Sequence, residues 1–151
     1  MITQMKVRGL TFDPYTNTFV VVLKDEKNVE MLPIWVGKSE ASAIQFALEQ
    51  VTPPRPMSHD LMKSILDVAD AKVISVVVTD LKENTYYARV HLMSEDSEYS
   101  IDSRPSDAIA LALRADAPIF AKDEVLRKQA SEELGQWLEN LKPEDFGKYE
   151  A

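Results

Sequence analysis

The chain has 151 residues, enough for one domain with a buried core, and its 45% hydrophobic and 28% charged content is typical of a folded globular protein. Its 4 glycines and 8 prolines exclude a collagen-like or low-complexity chain, and the lack of cysteine excludes disulfides and Cys-ligated metal centres. The net charge of −8 excludes a broad basic surface for nucleic acid. Phosphate binding would therefore need a local basic cleft or a bound divalent cation.

The N-terminal residues alternate polar and apolar side chains and lack the continuous apolar stretch of a signal peptide. No segment approaches the ~18 consecutive apolar residues that a membrane-spanning helix needs. We therefore expect a cytoplasmic protein that does not contact a membrane, and the absence of cysteine agrees with that location.

The first third of the chain predicts three strands. Residues 1–10 alternate in polarity, 18–24 form a β-branched and aromatic run, and 29–36 form a third strand. Pro33 lies inside the third strand and cannot donate to a β-ladder. The sequence therefore predicts an edge position or a bulge there.

Two helices are predicted next, separated by the proline-rich connector 51–56. We expect Ser39 to cap the first helix, which runs to Gln50. We expect Ser58 to cap the second, which runs to about Ala69.

The second half predicts strands over 71–80, 85–93 and 98–104, followed by a helix over 105–115. This helix is almost entirely apolar after its first turn, so it should be buried on most sides.

Residues 118–120 indicate a short strand or connector, and an apolar stripe from 125 to 141 predicts a final helix. Strands and helices that do not alternate strictly predict an α+β fold with a mostly antiparallel or mixed sheet, in the order βββ-αα-βββ-α-(β)-α. We assign residues 1–125 to this domain and 126–151 to a C-terminal amphipathic helix with a polar tail.

The most informative segment, DSRPSD, lies where a strand meets a helix. Pro105 suits the first helical position, so free backbone N–H groups lie near Arg104 and Ser106. A helix N-terminus beside an arginine is a natural phosphate site, and Asp102 and Asp107 could hold a divalent cation next to it. A structural interpretation is also open, in which these side chains only stabilise the start of the helix.

His59 and Asp60 form a second candidate site. Histidine titrates near neutral pH and serves as a general base or a metal ligand, and the adjacent carboxylate could orient it or share the ion. Both residues could equally lie on the exposed first turn of a helix, where an acidic side chain is favourable.

Glu40 is a further candidate metal ligand. It lies in the opening turn of the first predicted helix, close to a strand end, whereas Glu49 lies nine residues later on a different face. The helix macrodipole alone also explains an acid at this position.

Several of these segments together resemble the bifunctional nuclease family. They keep the family's order and cover roughly residues 1–125: LPIWVG followed by EA and AI; PPRP with HDL; TDLK with TYYA; and IDSRPSDAIALA followed by API. Ser103 departs from the alanine that is frequent in the family. One such motif would be weak evidence, whereas four in register are strong.

The resemblance implies an α+β fold, self-association with a dimer favoured, and cleavage of both DNA and RNA without marked sequence preference. Within the shared motifs, the residue types suggest three catalytic candidates, His59, Asp60 and Asp107. They also suggest three substrate-binding candidates, Arg55, Arg104 and Ser106.

A divalent cation, Mg²⁺ or Mn²⁺, is expected beside these residues. Its candidate ligands are Asp102, Asp107 and Glu40, and it would stabilise charge on the phosphate and activate water. Bound cations would also convert an acidic cleft into a phosphate site.

Two other functions stay open at this point. The net charge of −8 and the presence of only two histidines favour a non-catalytic oligomeric interaction or regulatory module. A small anionic metabolite bound at the Arg104 helix terminus is the other possibility.

Overall fold

The fold is known from a computed structural model, which describes residues 1–27, 29–129 and 140–142. Its elements in chain order are β1 (Ile2–Asp13), β2 (Thr18–Asp25), β3 (Met31–Val36), α1 (Lys38–Leu48), α2 (Ser58–Val68), β4 (Ala71–Lys82), β5 (Thr85–Ser94), β6 (Ser97–Ser103), α3 (Pro105–Ala115), β7 (Ile119–Lys122) and α4 (Asp123–Gln129). The α+β class and the predicted order of elements are confirmed.

The strands form one seven-stranded sheet in the order β3-β2-β1-β7-β4-β5-β6. Strands β1–β3 and strands β4–β6 are two antiparallel meanders. Strand β7 joins them, since it pairs antiparallel with β1 and parallel with β4. The sheet is therefore mixed, and it becomes continuous only when the segment after α3 inserts between the two meanders.

Strand β3 lies at one edge of the sheet, as Pro33 predicted. The phenol of Tyr86 on β5 donates a hydrogen bond to the Pro33 carbonyl oxygen at 3.0 Å. Because β3 and β5 are far apart in strand order, this bond shows that the sheet curls towards itself. Burial raises the pKa of Tyr86 well above its usual range, so the phenol stays protonated as a donor.

The main core lies between the concave side of the sheet and the helices. Small side chains of α1 and α3 are fully buried there, which lets the two helices approach closely. The prediction that α3 is buried on most sides is confirmed, with Ala108, Ile109 and Ala110 at 1% exposure or less. On the other face of β2, Val20 and Val22 pack with Met31 and Leu141.

The predicted caps of the first two helices were wrong. Helix α1 has Gly37 at its N-cap without a side-chain cap bond, and a Cβ on Gly37 would lie 2.6 Å from a Glu40 carboxylate oxygen. Helix α2 has Met57 at its N-cap, whose N–H donates to the Asp60 carboxylate at 2.8 Å. Both serines lie inside the first turn because the extended backbone ends one or two residues earlier than the polarity pattern suggested.

Helix α4 places Val125 and Leu126 in the main core. Of the rest of the predicted C-terminal stripe, Leu141 is described, whereas Trp137 and Leu138 lie outside the described residues. The domain boundary between 125 and 126 therefore stays a prediction. None of the described helices is long and apolar enough to cross a membrane.

Candidate active site

Ionisable side chains from three helices meet at the N-terminus of α3. Arg104 is its N-cap residue, with the extended dihedral angles φ −69° and ψ 145°, and Pro105 occupies the first helical position as predicted. Helices α1 and α2 both pack against α3. This packing carries Glu40 and His59 to Arg104 from segments far away in sequence.

Four side chains, Glu40, His59, Arg104 and Asp107, form one hydrogen-bonded series that we call the Arg104 cluster. His59 Nε2 lies 2.8 Å from Asp107 Oδ1. Arg104 donates two hydrogen bonds to the same carboxylate, from Nε to Oδ2 at 2.9 Å and from Nη2 to Oδ1 at 3.1 Å. Its third contact is from Nη1 to Glu40 Oε1 at 3.0 Å. The cluster therefore connects three helices, since Arg104 bonds Glu40 of α1 and Asp107 bonds His59 of α2.

The protonation states in the cluster follow from these contacts. Burial raises the pKa of Asp107, but hydrogen bonds from Arg104 and His59, together with the charge of Arg104, lower it overall. Hydrogen bonds to Asp107 and Glu40 raise the pKa of Arg104 further. With Asp107 ionised, the hydrogen-bond network assigns a proton to His59 Nε2, which donates to Asp107 Oδ1.

Solvent reaches the members of the cluster to very different degrees. The side chain of Arg104 is 63% exposed, that of Asp107 27% and that of His59 only 9%. A guanidinium carries five N–H groups, and three of those of Arg104 donate to carboxylates of the described residues. Arg104 is therefore the group that an anion from solution would meet first.

Two clefts share Arg104. The large cleft, of about 550 Å³, is mostly aliphatic, with Asp102 and Asp107 beside Arg104; its apolar lining includes Met62, Ile65, Val90, Leu92, Ile101 and Leu111. The small cleft, of about 290 Å³, lies between the starts of α1 and α3, and its lining includes Gly37, Glu40, Tyr86, Pro105 and Ser106. Arg104 thus stands between an apolar surface and a pair of helix N-termini.

The candidate metal ligands do not gather as a chelating set. Glu40 and Asp107 hold the Arg104 guanidinium between them, and Asp102 is exposed on the rim of the large cleft. Across the described ranges, no group of three or more His, Asp or Glu side chains is placed to hold a metal ion. As placed here these donors do not fit a resident Mg²⁺ or Mn²⁺, and the cation stays a sequence-based prediction.

Asp60 ties α2 to α3. It accepts hydrogen bonds from Arg114 Nε at 2.6 Å and from the Met57 N–H. Burial raises the pKa of Asp60, but these bonds and the charge of Arg114 lower it overall. These contacts fix the first turn of α2, which carries His59, against the last turn of α3.

The other predicted site residues lie nearby or at the surface. Ser106 is buried and lines the small cleft. Arg55 is exposed in the connector between α1 and α2. Sequence reasoning missed Arg114, although an arginine late in an otherwise apolar helix was a signal, because a buried charge needs a partner.

The fold and the Arg104 cluster define an α+β protein with an arginine and a histidine–carboxylate pair at one helix N-terminus. A family model described as the bifunctional nuclease domain matches residues 21–133. The chain belongs to that family, as its motifs indicated.

Three relatives illustrate the match. An uncharacterized protein of Mycobacterium tuberculosis is 30% identical over 162 aligned positions, covering 95% of this chain and 97% of that protein. Bifunctional nuclease 1 of Oryza sativa subsp. japonica is 32% identical over 103 positions, 66% of this chain and 31% of the rice protein. Bifunctional nuclease 2 of Arabidopsis thaliana is 32% identical over 116 positions, 74% of this chain and 35% of that protein. The chain thus spans about a third of the length of these plant relatives.

Proposed function

We propose that this chain is a nuclease that hydrolyses phosphodiester bonds of DNA and RNA with little sequence preference. Family membership supports the class of reaction. The observation that carries the proposal to particular residues is the hydrogen-bonded series Glu40–Arg104–Asp107–His59 at the start of α3.

In this proposal the phosphate binds at Arg104. The first backbone N–H groups of α3 have no partner within the helix, and they add a second attraction for an anion at the same place. Contacts to phosphate carry no base information, which accounts for weak sequence preference. A site that contacts only phosphate does not distinguish deoxyribose from ribose, so it can bind both DNA and RNA.

The proton chemistry falls to His59 and Asp107. Water attacks phosphorus, its proton passes to the His59–Asp107 pair, and the bond from phosphorus to the leaving oxygen breaks as that oxygen takes a proton back. Arg104 stabilises the charge that builds up on the phosphate oxygens. Asp60 acts as a positioning residue, since its bonds hold the turn that carries His59.

Divalent-cation assistance is part of the proposal only as something to test. The described donors do not form a chelating set, and the proposed steps use only Arg104, His59 and Asp107. Cleavage is measured after EDTA treatment and again with added Mg²⁺ or Mn²⁺. Activity that disappears with EDTA and returns with either ion supports a cation supplied with the substrate.

Asp107→Asn is the direct test of the site. Asparagine cannot pair as an anion with Arg104 or stabilise a proton taken up by His59, so we expect cleavage of both DNA and RNA to fall about 100-fold or more. The matched control is Asp67→Asn, which removes the same charge from an exposed position on α2. Thermal melting of each variant separates loss of chemistry from loss of fold.

Equal activity of wild type and Asp107→Asn would contradict this site and would point to a contaminating nuclease. Wild type that cleaves neither DNA nor RNA, with or without a cation, would leave the alternative of a non-catalytic interaction module.

We also propose self-association as a dimer, in the cytoplasm. Strand β6 is a sheet edge with exposed side chains, and Ile101 on it lies beside the exposed apolar residues Met62 and Ile65 of α2. An antiparallel edge can pair with its own copy about a two-fold axis, which would cover these side chains. The absence of cysteine supports the cytoplasmic location.

A further inference from the structure

The Arg104 cluster holds more negative than positive charge. Glu40 and Asp107 flank one guanidinium group, and Asp102 lies on the same rim of the large cleft. An anion that binds Arg104 is therefore attracted by one cation and repelled by two carboxylates in direct contact with it.

The two carboxylates are not equivalent. Asp107 binds Arg104 through two nitrogens and also binds His59, so it is needed to build the cluster. Glu40 makes one contact, from a different helix. Its carboxylate is also packed against the backbone at Gly37, where a Cβ would lie only 2.6 Å from Oε2. This packing keeps the charge of Glu40 beside any anion on Arg104.

Resting on the nuclease function proposed above, we infer that Glu40 is a specificity-determining residue that favours the single charge of an internal phosphodiester over the double charge of a terminal phosphomonoester. A diester carries one negative charge, whereas a monoester approaches two at neutral pH, because its second ionisation lies near pH 6. Coulomb repulsion scales with the product of the charges, so Glu40 repels the monoester about twice as strongly. A nuclease with this preference cleaves internal phosphodiesters, and a terminal phosphate does not strengthen its binding of the substrate.

The experiment compares wild type with Glu40→Gln, and Glu49→Gln is the matched control. Glu49 follows α1 directly, about 13 Å along the helix from Glu40, and its substitution removes the same charge. The probes are a dinucleoside monophosphate, which holds only a diester, and a nucleoside 5′-monophosphate. Their dissociation constants are measured by NMR titration at pH 5 and pH 8.

We expect Glu40→Gln to strengthen the binding of both probes at pH 8. The fold-change in the dissociation constant of the monoester should be the square of the fold-change for the diester. A gain of about 3-fold for the diester thus corresponds to about 9-fold for the monoester, falling to about 3-fold at pH 5. The diester series is the internal control for pH. The groups that face the cluster, which are His59, Tyr86, Asp102 and Asp107, are the same in Glu40→Gln and in Glu49→Gln, so the comparison of these two variants at each pH isolates the charge of Glu40. Glu49→Gln should leave both probes unchanged.

Three results, in a variant that melts like wild type, would overturn the role of Glu40. They are an equal increase in affinity for the two probes, no increase for either, or weaker binding of both. The nuclease proposal is judged separately, by whether wild type cleaves and Asp107→Asn does not. In wild type, 5′-phosphorylated and 5′-hydroxyl oligonucleotides should be cleaved at rates within about 2-fold of each other, since the expected repulsion removes any advantage of a charged end. Clear preference for the phosphorylated oligonucleotide would also contradict the inference.

Discussion

The two clefts beside Arg104 differ in how far their side chains are already engaged. On the side of the small cleft, Arg104 and Glu40 are bonded to each other, and Tyr86 is bonded to Pro33. On the side of the large cleft, Ile65 is 57% exposed and Ile101 49% exposed. In the proposed function, an anion binds at Arg104, and a partner copy covers the exposed apolar side chains of the large cleft.

The largest expected effect is on the Arg104 cluster, whose central arginine lines both clefts. His59→Gln keeps a donor for Asp107 but cannot take up a proton, so we expect kcat to fall about 100-fold with KM changed by less than about 3-fold. Steady-state cleavage of an oligonucleotide measures both constants. His91→Gln, at the only other histidine, is the control. A loss confined to KM would move His59 from proton transfer to substrate binding.

A smaller effect is expected from the exposed apolar side chains of the large cleft. Ile65→Glu places a charge in the large cleft, so the dissociation constant of the proposed dimer should rise about 10-fold or more. Light scattering across a concentration series gives this constant, with Ser64→Glu as the control on the same helix. At concentrations where the variant is still dimeric, kcat should stay within about 3-fold of wild type. A monomeric wild type, or an equal shift in Ser64→Glu, would contradict the division between the two clefts.

The smallest expected effect is on stability in acid. Asp13, Asp60 and Asp107 have pKa values below the ordinary value in the folded chain. For Asp13 the main cause is a hydrogen bond that Trp35 Nε1 donates to its carboxylate at 2.8 Å. Each therefore adds stability above about pH 4 that is lost as pH falls through its lowered pKa. Urea unfolding between pH 7 and pH 3 should show this decline. Asp60→Asn should lower the free energy of unfolding at pH 7 by about 1–2 kcal/mol and flatten its dependence on pH. An unchanged slope would show that the bonds of Asp60 to Met57 and Arg114 are not made in solution.

Most of the fold could be predicted, because its signals are local. The β-branched runs of β2 and β4, the proline at the start of α3 and the proline within edge strand β3 each report on their own neighbourhood. The caps of α1 and α2 could not, because the serines nearby are equally compatible with a cap or a first turn. The place of β7 also had no local signal, since it depends on two meanders formed elsewhere in the chain.

The candidate site, like the fold, could be predicted only in part. The sequence by itself determined the class of side chains available: an arginine and a carboxylate at a helix start, a histidine at another, and no cysteine. Only the tertiary structure decided the partners, since Glu40 reaches Arg104 across 64 residues and His59 reaches Asp107 across 48. The sequence spacing suggested that Asp102, Asp107 and Glu40 would share a cation. Helix packing instead placed a guanidinium between two of them, because α1 and α3 approach through small buried residues that leave their charged first turns side by side.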